Sequence, residues 1–124
     1  MTDKVVDASA LAATVFLEPG YADTRARMDG CMLHAPALLR FEMANIAVKK
    51  IRNASSDRDL ILLQLDAGLA IPVAEHEVNH QQVVKLAERL KLSAYDANYL
   101  WLAKQLNCEL VTLDARLEIA AQSL

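Results

Sequence analysis

The chain has 124 residues, of which 54% are hydrophobic and 23% charged, and a formal net charge of −3. That is length enough for one domain with a real core, and too apolar a composition for an intrinsically disordered chain. The acidic balance gives no global basic field, so a nucleic acid would have to be held by local basic patches or by a bound cation.

Taken in order, the sequence alternates between strand and helix signals. A short strand, Lys4–Val6, leads into a helix from about Ser9 to Leu17, stopped by Glu18-Pro19-Gly20. A second helical piece covers Tyr21 to Asp29, with Gly30 as its stop, and a strand follows at Met32–His34. Pro36 suits the first turn of the next helix, where its missing N–H would be unpaired anyway. That helix runs to about Arg52, and Asn53-Ala54-Ser55-Ser56 reads as a turn. Asp57 to Asp66 is helical and apolar on nearly every side, with Gly68 as its end. Leu69–Val73 is the expected third strand, at a sheet edge because Pro72 cannot donate to a ladder. Helices from Glu75 to Leu90 and from Ser93 to Leu106 come next. Glu109–Leu113 is the fourth strand, and a last helix starts near Asp114 or Ala115. The expected fold is α/β, one domain over residues 1–124, with a parallel sheet flanked by helices.

No apolar run reaches the roughly 20 residues of a membrane span, and Met1-Thr2-Asp3-Lys4 begins no signal-peptide core; both point to a cytoplasmic protein without membrane contact. Cys31 and Cys108 lie far apart without metal-ligand spacing, and read as buried thiols rather than a disulfide.

Four acids stand out. Asp7 ends the first apolar run and Asp114 the last, and ligands of an open parallel sheet collect beyond the carboxyl ends of its strands. Glu42 lies four residues from both Leu38 and Ile46, on the apolar stripe of its helix, and Asn45 borders the same stripe. Asp96 completes a capping box, Ser93-Ala94-Tyr95-Asp96. Each has a structural alternative: Asp7 and Asp114 as helix caps, Asp96 in its box, Glu42 in a salt bridge. Gathered together, however, several carboxylates stay ionised only beside a cation. An all-carboxylate set is hard and suits Mg²⁺ or Mn²⁺ better than zinc.

These residues carry a family resemblance. Val5-Val6-Asp7-Ala8-Ser9-Ala10-Leu11, Arg40-Phe41-Glu42-Met43-Ala44-Asn45, Leu92-Ser93-Ala94-Tyr95-Asp96-Ala97-Asn98-Tyr99-Leu100 and Leu110-Val111-Thr112-Leu113-Asp114-Ala115-Arg116-Leu117 occur in the order found in PIN-domain ribonucleases. The chain most resembles the toxin of a VapC-type toxin–antitoxin pair. The resemblance implies a PIN-like sheet of four strands, or five, in the order 3-2-1-4, which brings Asp7 beside Asp114. It implies that Asp7, Glu42, Asp96 and Asp114 hold Mg²⁺ or Mn²⁺, with Asp7 and Asp96 as principal ligands and Ser9, Asn45 and Thr112 in support. It implies an endoribonuclease leaving a 5′-phosphate and a 3′-hydroxyl, with an RNA substrate, a cognate protein antitoxin and a homodimer as partners. No segment matching the fifth strand is recognisable before Leu124. A catalytically silent PIN-like interaction module is the alternative, and loss of an acid would be its sign.

His76-Glu77-Val78-Asn79-His80 also fits H-E-x-x-H, which on a helix would put two zinc-binding histidines on one face. The only other histidine, His34, belongs to a distant segment, so a third ligand is missing. A surface or partner-facing helix is the expectation there. A receiver domain would need an acidic pair after the first strand and an aspartate after the third, where Ile71-Pro72-Val73-Ala74 stands instead. Lys49, Lys50, Arg52, Arg58, Lys85, Arg89 and Lys91 are candidate phosphate contacts. Tyr95, Tyr99 and Trp101 read as core or interface. The Leu60–Leu65 segment, with Leu11, Val15, Phe16 and Leu17, offers apolar surface for a homodimer or an antitoxin segment.

Overall fold

In a computed structural model, which describes residues 1–53 and 57–124, four strands and seven helices alternate along the chain. They are β1 (Thr2–Val6), α1 (Ala8–Val15), α2 (Tyr21–Met28), β2 (Cys31–Pro36), α3 (Leu38–Asn53), α4 (Arg58–Leu69), β3 (Ala74–His76), α5 (His80–Leu90), α6 (Ala94–Leu106), β4 (Glu109–Val111) and α7 (Ala115–Gln122). The sheet order is β3-β2-β1-β4, and every pairing is parallel. A fifth strand does not occur among the described residues.

Val5 and Val6 are consecutive and both buried, as are Leu110 and Val111. Since successive strand side chains point to opposite faces, helices must cover both faces of the sheet. α6 packs on β1, β2 and β4, while α1 packs against α2, α3 and α4. The chain runs from β1 outward to β2 and β3, then crosses back to place β4 on the other side of β1. The reversal opens a crevice at the carboxyl ends of β1 and β4, the switch point where such sheets bind ligands. The N–H of Asp7 donates to the carbonyl of Val111 at 3.2 Å, which ties the two strand ends together.

The third strand lies later than expected. Leu69 closes α4, Ala70 to Val73 form a turn and connector, and Ala74–His76 pair with His34–Pro36 of β2. Pro72 therefore stands outside the ladder, where its missing N–H breaks nothing, although β3 is an edge strand as foreseen. α5 starts at His80 rather than at Glu75, because the Asn79 side chain accepts from the Gln82 N–H at 3.0 Å and caps it there. Pro36 ends β2 instead of opening α3. Gly68 lies inside α4 and does not stop it: a Cβ there would meet Val15 Cγ1 and Cγ2 at 3.1 Å, so glycine allows α1 and α4 to approach closely. β4 ends at Val111, two residues earlier than expected. Of the expected turn at Asn53–Ser56, residues 54–56 lie outside the described residues. Both cysteines are free, and only half-buried rather than buried.

Candidate functional site

All four singled-out acids line one cavity of about 470 Å³, along with Ser9, Asn45, Lys49 and Tyr99. Asp7 is the most buried of them, at 5% exposure, and caps α1 by accepting from the Ala10 N–H at 3.0 Å. Two hydroxyls fix its carboxylate further. Ser9 Oγ donates to Oδ1 at 2.7 Å, and Thr112 Oγ1 donates to Oδ2 at 2.5 Å. Those hydroxyls also accept from the turn after β4: Thr112 from the Asp114 N–H and Ser9 from the Leu113 N–H, both at 3.0 Å. Asp114 caps α7 through its Oδ1, which accepts from the N–H groups of Arg116 and Leu117.

Glu42, expected on the buried face of its helix, is half-buried on α3. Its partner is neither lysine nor arginine but Tyr99 of α6, whose hydroxyl donates to Oε1 at 2.5 Å. Tyr99 is 2% exposed. Tyr99 reads as core or interface in the sequence, which does not show this role. Its spacing three residues after Asp96 was the available signal, since the two then share a helix face. Asp96 itself sits one turn into α6, with Ser93 Oγ accepting from its backbone N–H at 3.0 Å as the capping box requires.

The electrostatics tie the four into one unit. Burial pushes the Asp7 carboxyl above its ordinary value despite its three hydrogen bonds, and the charge of Asp114 adds to the rise. Burial also raises Glu42, against the Tyr99 hydrogen bond, with further contributions from Asp96 and Asp7. Asp96 is raised by burial and then by Asp114. Tyr99 is pushed well up by burial and by its bond to Glu42, so it stays a donor at neutral pH. No lysine or arginine forms an ion pair with these acids among the described residues.

Four carboxylates facing one cavity, three of them raised by burial and by their neighbours' charge, fit a hard divalent cation. As they stand, no three acidic, histidine or cysteine side chains among the described residues close tightly around one point. The acids share a cavity rather than a coordination sphere, so a cation would have to draw them inward. Asp7 is locked by its donors, while the Asp96 carboxylate is the least engaged.

The H-E-x-x-H segment does not lie on a helix. His76 ends β3, His80 opens α5, and the residues between are connector. His34 is not distant: β2 neighbours β3, and His34 Nδ1 lies 2.8 Å from His76 Nε2. The other His34 nitrogen contacts Asp3 Oδ1 at 2.9 Å. The pair is a hydrogen-bonded chain rather than the helix-face ligand pair of a zinc protease. Tyr95 is not core, standing 64% exposed. Trp101 packs with the core and donates to Gln82. In the apolar set, Leu11, Phe16 and Ile61 are buried, and Leu17, Leu60 and Leu63 face solvent. No helix among the described residues is long and apolar enough to cross a membrane.

Comparison with known proteins bears on the family and the fold. The PIN domain profile matches residues 4–122. The chain is 38% identical over 125 residues to Ribonuclease VapC9 of Mycobacterium tuberculosis, covering 96% of this chain and 91% of that protein. It matches VapC ribonuclease Mb0985 of Mycobacterium bovis to the same extent, 38% identity over 96% of this chain and 91% of the relative. Among solved structures it is similar to PAE2754 from Pyrobaculum aerophilum, with a TM-score of 0.78, 25% identity, and coverage of 98% of this chain and 81% of that one. The chain therefore belongs to the PIN-domain family and, within it, to the VapC-type ribonucleases.

Proposed function

We propose that this chain is a divalent-metal-dependent endoribonuclease, the toxin of a toxin–antitoxin pair, whose active site is Asp7, Glu42, Asp96 and Asp114. The observation that carries the reading is that these four acids, two within α3 and α6 and two at the N-caps of α1 and α7, face one cavity, where burial and neighbouring carboxylates raise the pKa of Asp7, Glu42 and Asp96. Mg²⁺ or Mn²⁺ is the ion this oxygen set suits. Bound there, it supplies neutralisation of the phosphodiester charge and acidification of a water.

The chain's own residues hold the site. Asp7 and Asp96 are the principal ligands. Ser9 and Thr112 orient Asp7 through its two oxygens, and Tyr99 orients Glu42. Glu42 and Asp114 complete the set, and one of them accepts the proton of the attacking water. Asn45, on the cavity wall, supports the site with an amide that can reach the sugar-phosphate backbone, and Lys49 offers a cation for a neighbouring phosphate. In-line attack by water on phosphorus forms the new P–O bond and breaks the P–O3′ bond, and the leaving 3′-oxygen takes a proton from solvent, giving a 5′-phosphate and a 3′-hydroxyl. The antitoxin is a protein, and the exposed Leu17, Leu60 and Leu63 side chains offer it, or a second copy of the chain, an apolar seat. The protein acts in the cytoplasm.

The test is cleavage of a mixed RNA pool by antitoxin-free protein with Mg²⁺ or Mn²⁺, alongside Asp7→Asn and an EDTA control. Cutting lost with either EDTA or the substitution is the expected result. Cutting that survives Asp7→Asn rejects this site, and a folded protein that cuts nothing favours the silent interaction module.

A further inference from the structure

Two aromatic rings stand in solvent at the mouth of the acidic cavity. Phe41 on α3 is 74% exposed and Tyr95 on α6 is 64% exposed. Both line that cavity with Leu38, and the same three side chains line a second cleft of about 640 Å³. The two cavities thus form one trough, divided by an aromatic and aliphatic rim. The second cleft lies between the starts of α3, α5 and α6, and its polar lining includes His80 and Asn98. The Asn98 side-chain amide donates to the Ala94 carbonyl at 2.7 Å, which leaves its oxygen as an acceptor. Its volume is within the range of roughly 300–1,000 Å³ typical of small-molecule sites.

A phosphodiester held at the acids carries a nucleotide on either side, so the adjoining groups must enter spaces continuous with the acidic cavity. Among the described residues two spaces qualify. One, joined through Ile46 and Lys49, is lined by Lys49 and by Lys50, which pairs with Glu18 at 2.8 Å, and by Asp57, so it offers a phosphate chiefly the Lys49 ammonium. The other, across the Phe41–Tyr95 rim, presents two π faces, with the imidazoles of His76 and His80, the Asn98 amide and the Glu77 carboxylate as the polar groups behind them. That combination suits a base, because aromatic stacking accepts any base face and side-chain amides or imidazoles read its edge.

We propose that the cleft behind Phe41 and Tyr95 is a nucleobase subsite, in which the two rings stack the unpaired base next to the scissile phosphate and Asn98 and His80 meet its edge. The proposal rests on the ribonuclease reading above and deepens it. The substrate class becomes RNA with an unpaired base beside the cut, since a base stacked within a duplex has no free face to offer these rings.

The experiment uses a short single-stranded RNA carrying 2-aminopurine, moved one position at a time, with full-length Asp7→Asn protein in Mg²⁺ so that nothing is cut. Stacking is read as fluorescence quenching, and wild-type cleavage of the same RNAs is followed in parallel. Quenching at one position beside the cut is expected. The Phe41→Ala/Tyr95→Ala double substitution should weaken binding by roughly 5- to 150-fold and remove the quench. Tyr95→Phe, which keeps a ring, should retain both. Lys49→Ala should weaken binding while the quench persists. Both rings are exposed, so an unchanged melting temperature establishes that the variants fold.

Wild-type cutting without quenching at any position would overturn the subsite and leave the ribonuclease reading standing. So would a double variant that binds and cuts like wild type. A double variant that cuts normally but loses self-association or antitoxin binding would make the rim a protein interface and end the proposal. Wild-type protein that neither cuts nor binds RNA would remove the ribonuclease reading, and the subsite with it.

Discussion

Tyr99 and Glu42 lie 57 residues apart in sequence and meet at 2.5 Å, where the phenol on α6 donates to the carboxylate on α3. The contact fixes one wall of the acidic cavity to the other. Tyr99→Phe keeps the ring and removes only the donor. It should leave the fold intact and reduce cleavage by about 10- to 100-fold, the usual effect of losing a group that orients a ligand. Because the hydrogen bond holds Glu42 down against burial, its loss raises that carboxyl further. The acid limb of the pH–rate profile should therefore move to higher pH. A purely structural role for Tyr99 would lower stability and leave the profile in place.

Thr112 is 4% exposed and joins Asp7 to the N–H of Asp114. Thr112→Val leaves a buried N–H and a carboxylate oxygen each short of a partner. We expect a loss of about 1–3 kcal/mol in stability by denaturant unfolding, and Mn²⁺ affinity weakened roughly 10- to 100-fold by calorimetry. Thr112→Ser, which keeps the hydroxyl, should recover most of both. Ser9→Ala should behave as the milder case, since Ser9 is one of three donors to Asp7.

Asp96 contributes to the site at the expense of the metal-free fold. Its folded pKa is raised above the ordinary 3.8 by burial and by Asp114. A raised carboxyl destabilises the folded state increasingly as pH climbs from the unfolded value through the folded one, and the penalty is complete above the folded value. Asp96→Asn should therefore melt higher than wild type at pH 7 in EDTA. The difference should vanish below about pH 3.8, where both states of the wild type are protonated. Added Mn²⁺ should stabilise wild type and have little effect on the variant. Equal stabilisation of the two would mean that Asp96 is only a helix cap.

Glu109 reports the opposite sign at the other end of the sheet. Arg27 Nη2 lies 2.6 Å from its Oε1 and Lys4 Nζ 3.5 Å from its Oε2. The Arg27 hydrogen bond, aided by Lys4, holds its pKa below the ordinary 4.5. Its stabilisation is present above that value and is lost as pH falls through the folded one. The carboxylate is half exposed, so solvent screening keeps the effect near or below about 1 kcal/mol. Glu109→Gln should lower the melting temperature slightly at pH 7, with no difference near pH 3, and should leave cleavage unchanged.

The site was more legible than the edge strand β3. Asp7 and Asp114 stand at the ends of apolar runs, and Ser93 and Asp96 form a capping box, so local patterns place all of them. Glu42 was legible because a carboxylate on an apolar helical stripe is expensive without a partner. Its partner was not, because Tyr99 is apolar enough to pass for core. β3 was misplaced because Leu69–Val73 has the strand-like composition, whereas Ala74-Glu75-His76 is mostly exposed at a sheet edge and carries no alternation. Gly68 resembled a helix stop because its close contact with Val15 is tertiary and leaves no local trace. The exposure of Phe41 and Tyr95 was hidden for the same reason.

The central claim, one metal site built from four acids, is tested most directly by measuring Mn²⁺ binding and RNA cleavage together in Asp7→Asn, Glu42→Gln, Asp96→Asn and Asp114→Asn. The account predicts that each substitution weakens both, most severely at Asp7 and Asp96, where cleavage should fall more than about 100-fold. Full Mn²⁺ affinity and undiminished cleavage in Asp7→Asn or Asp96→Asn would contradict it.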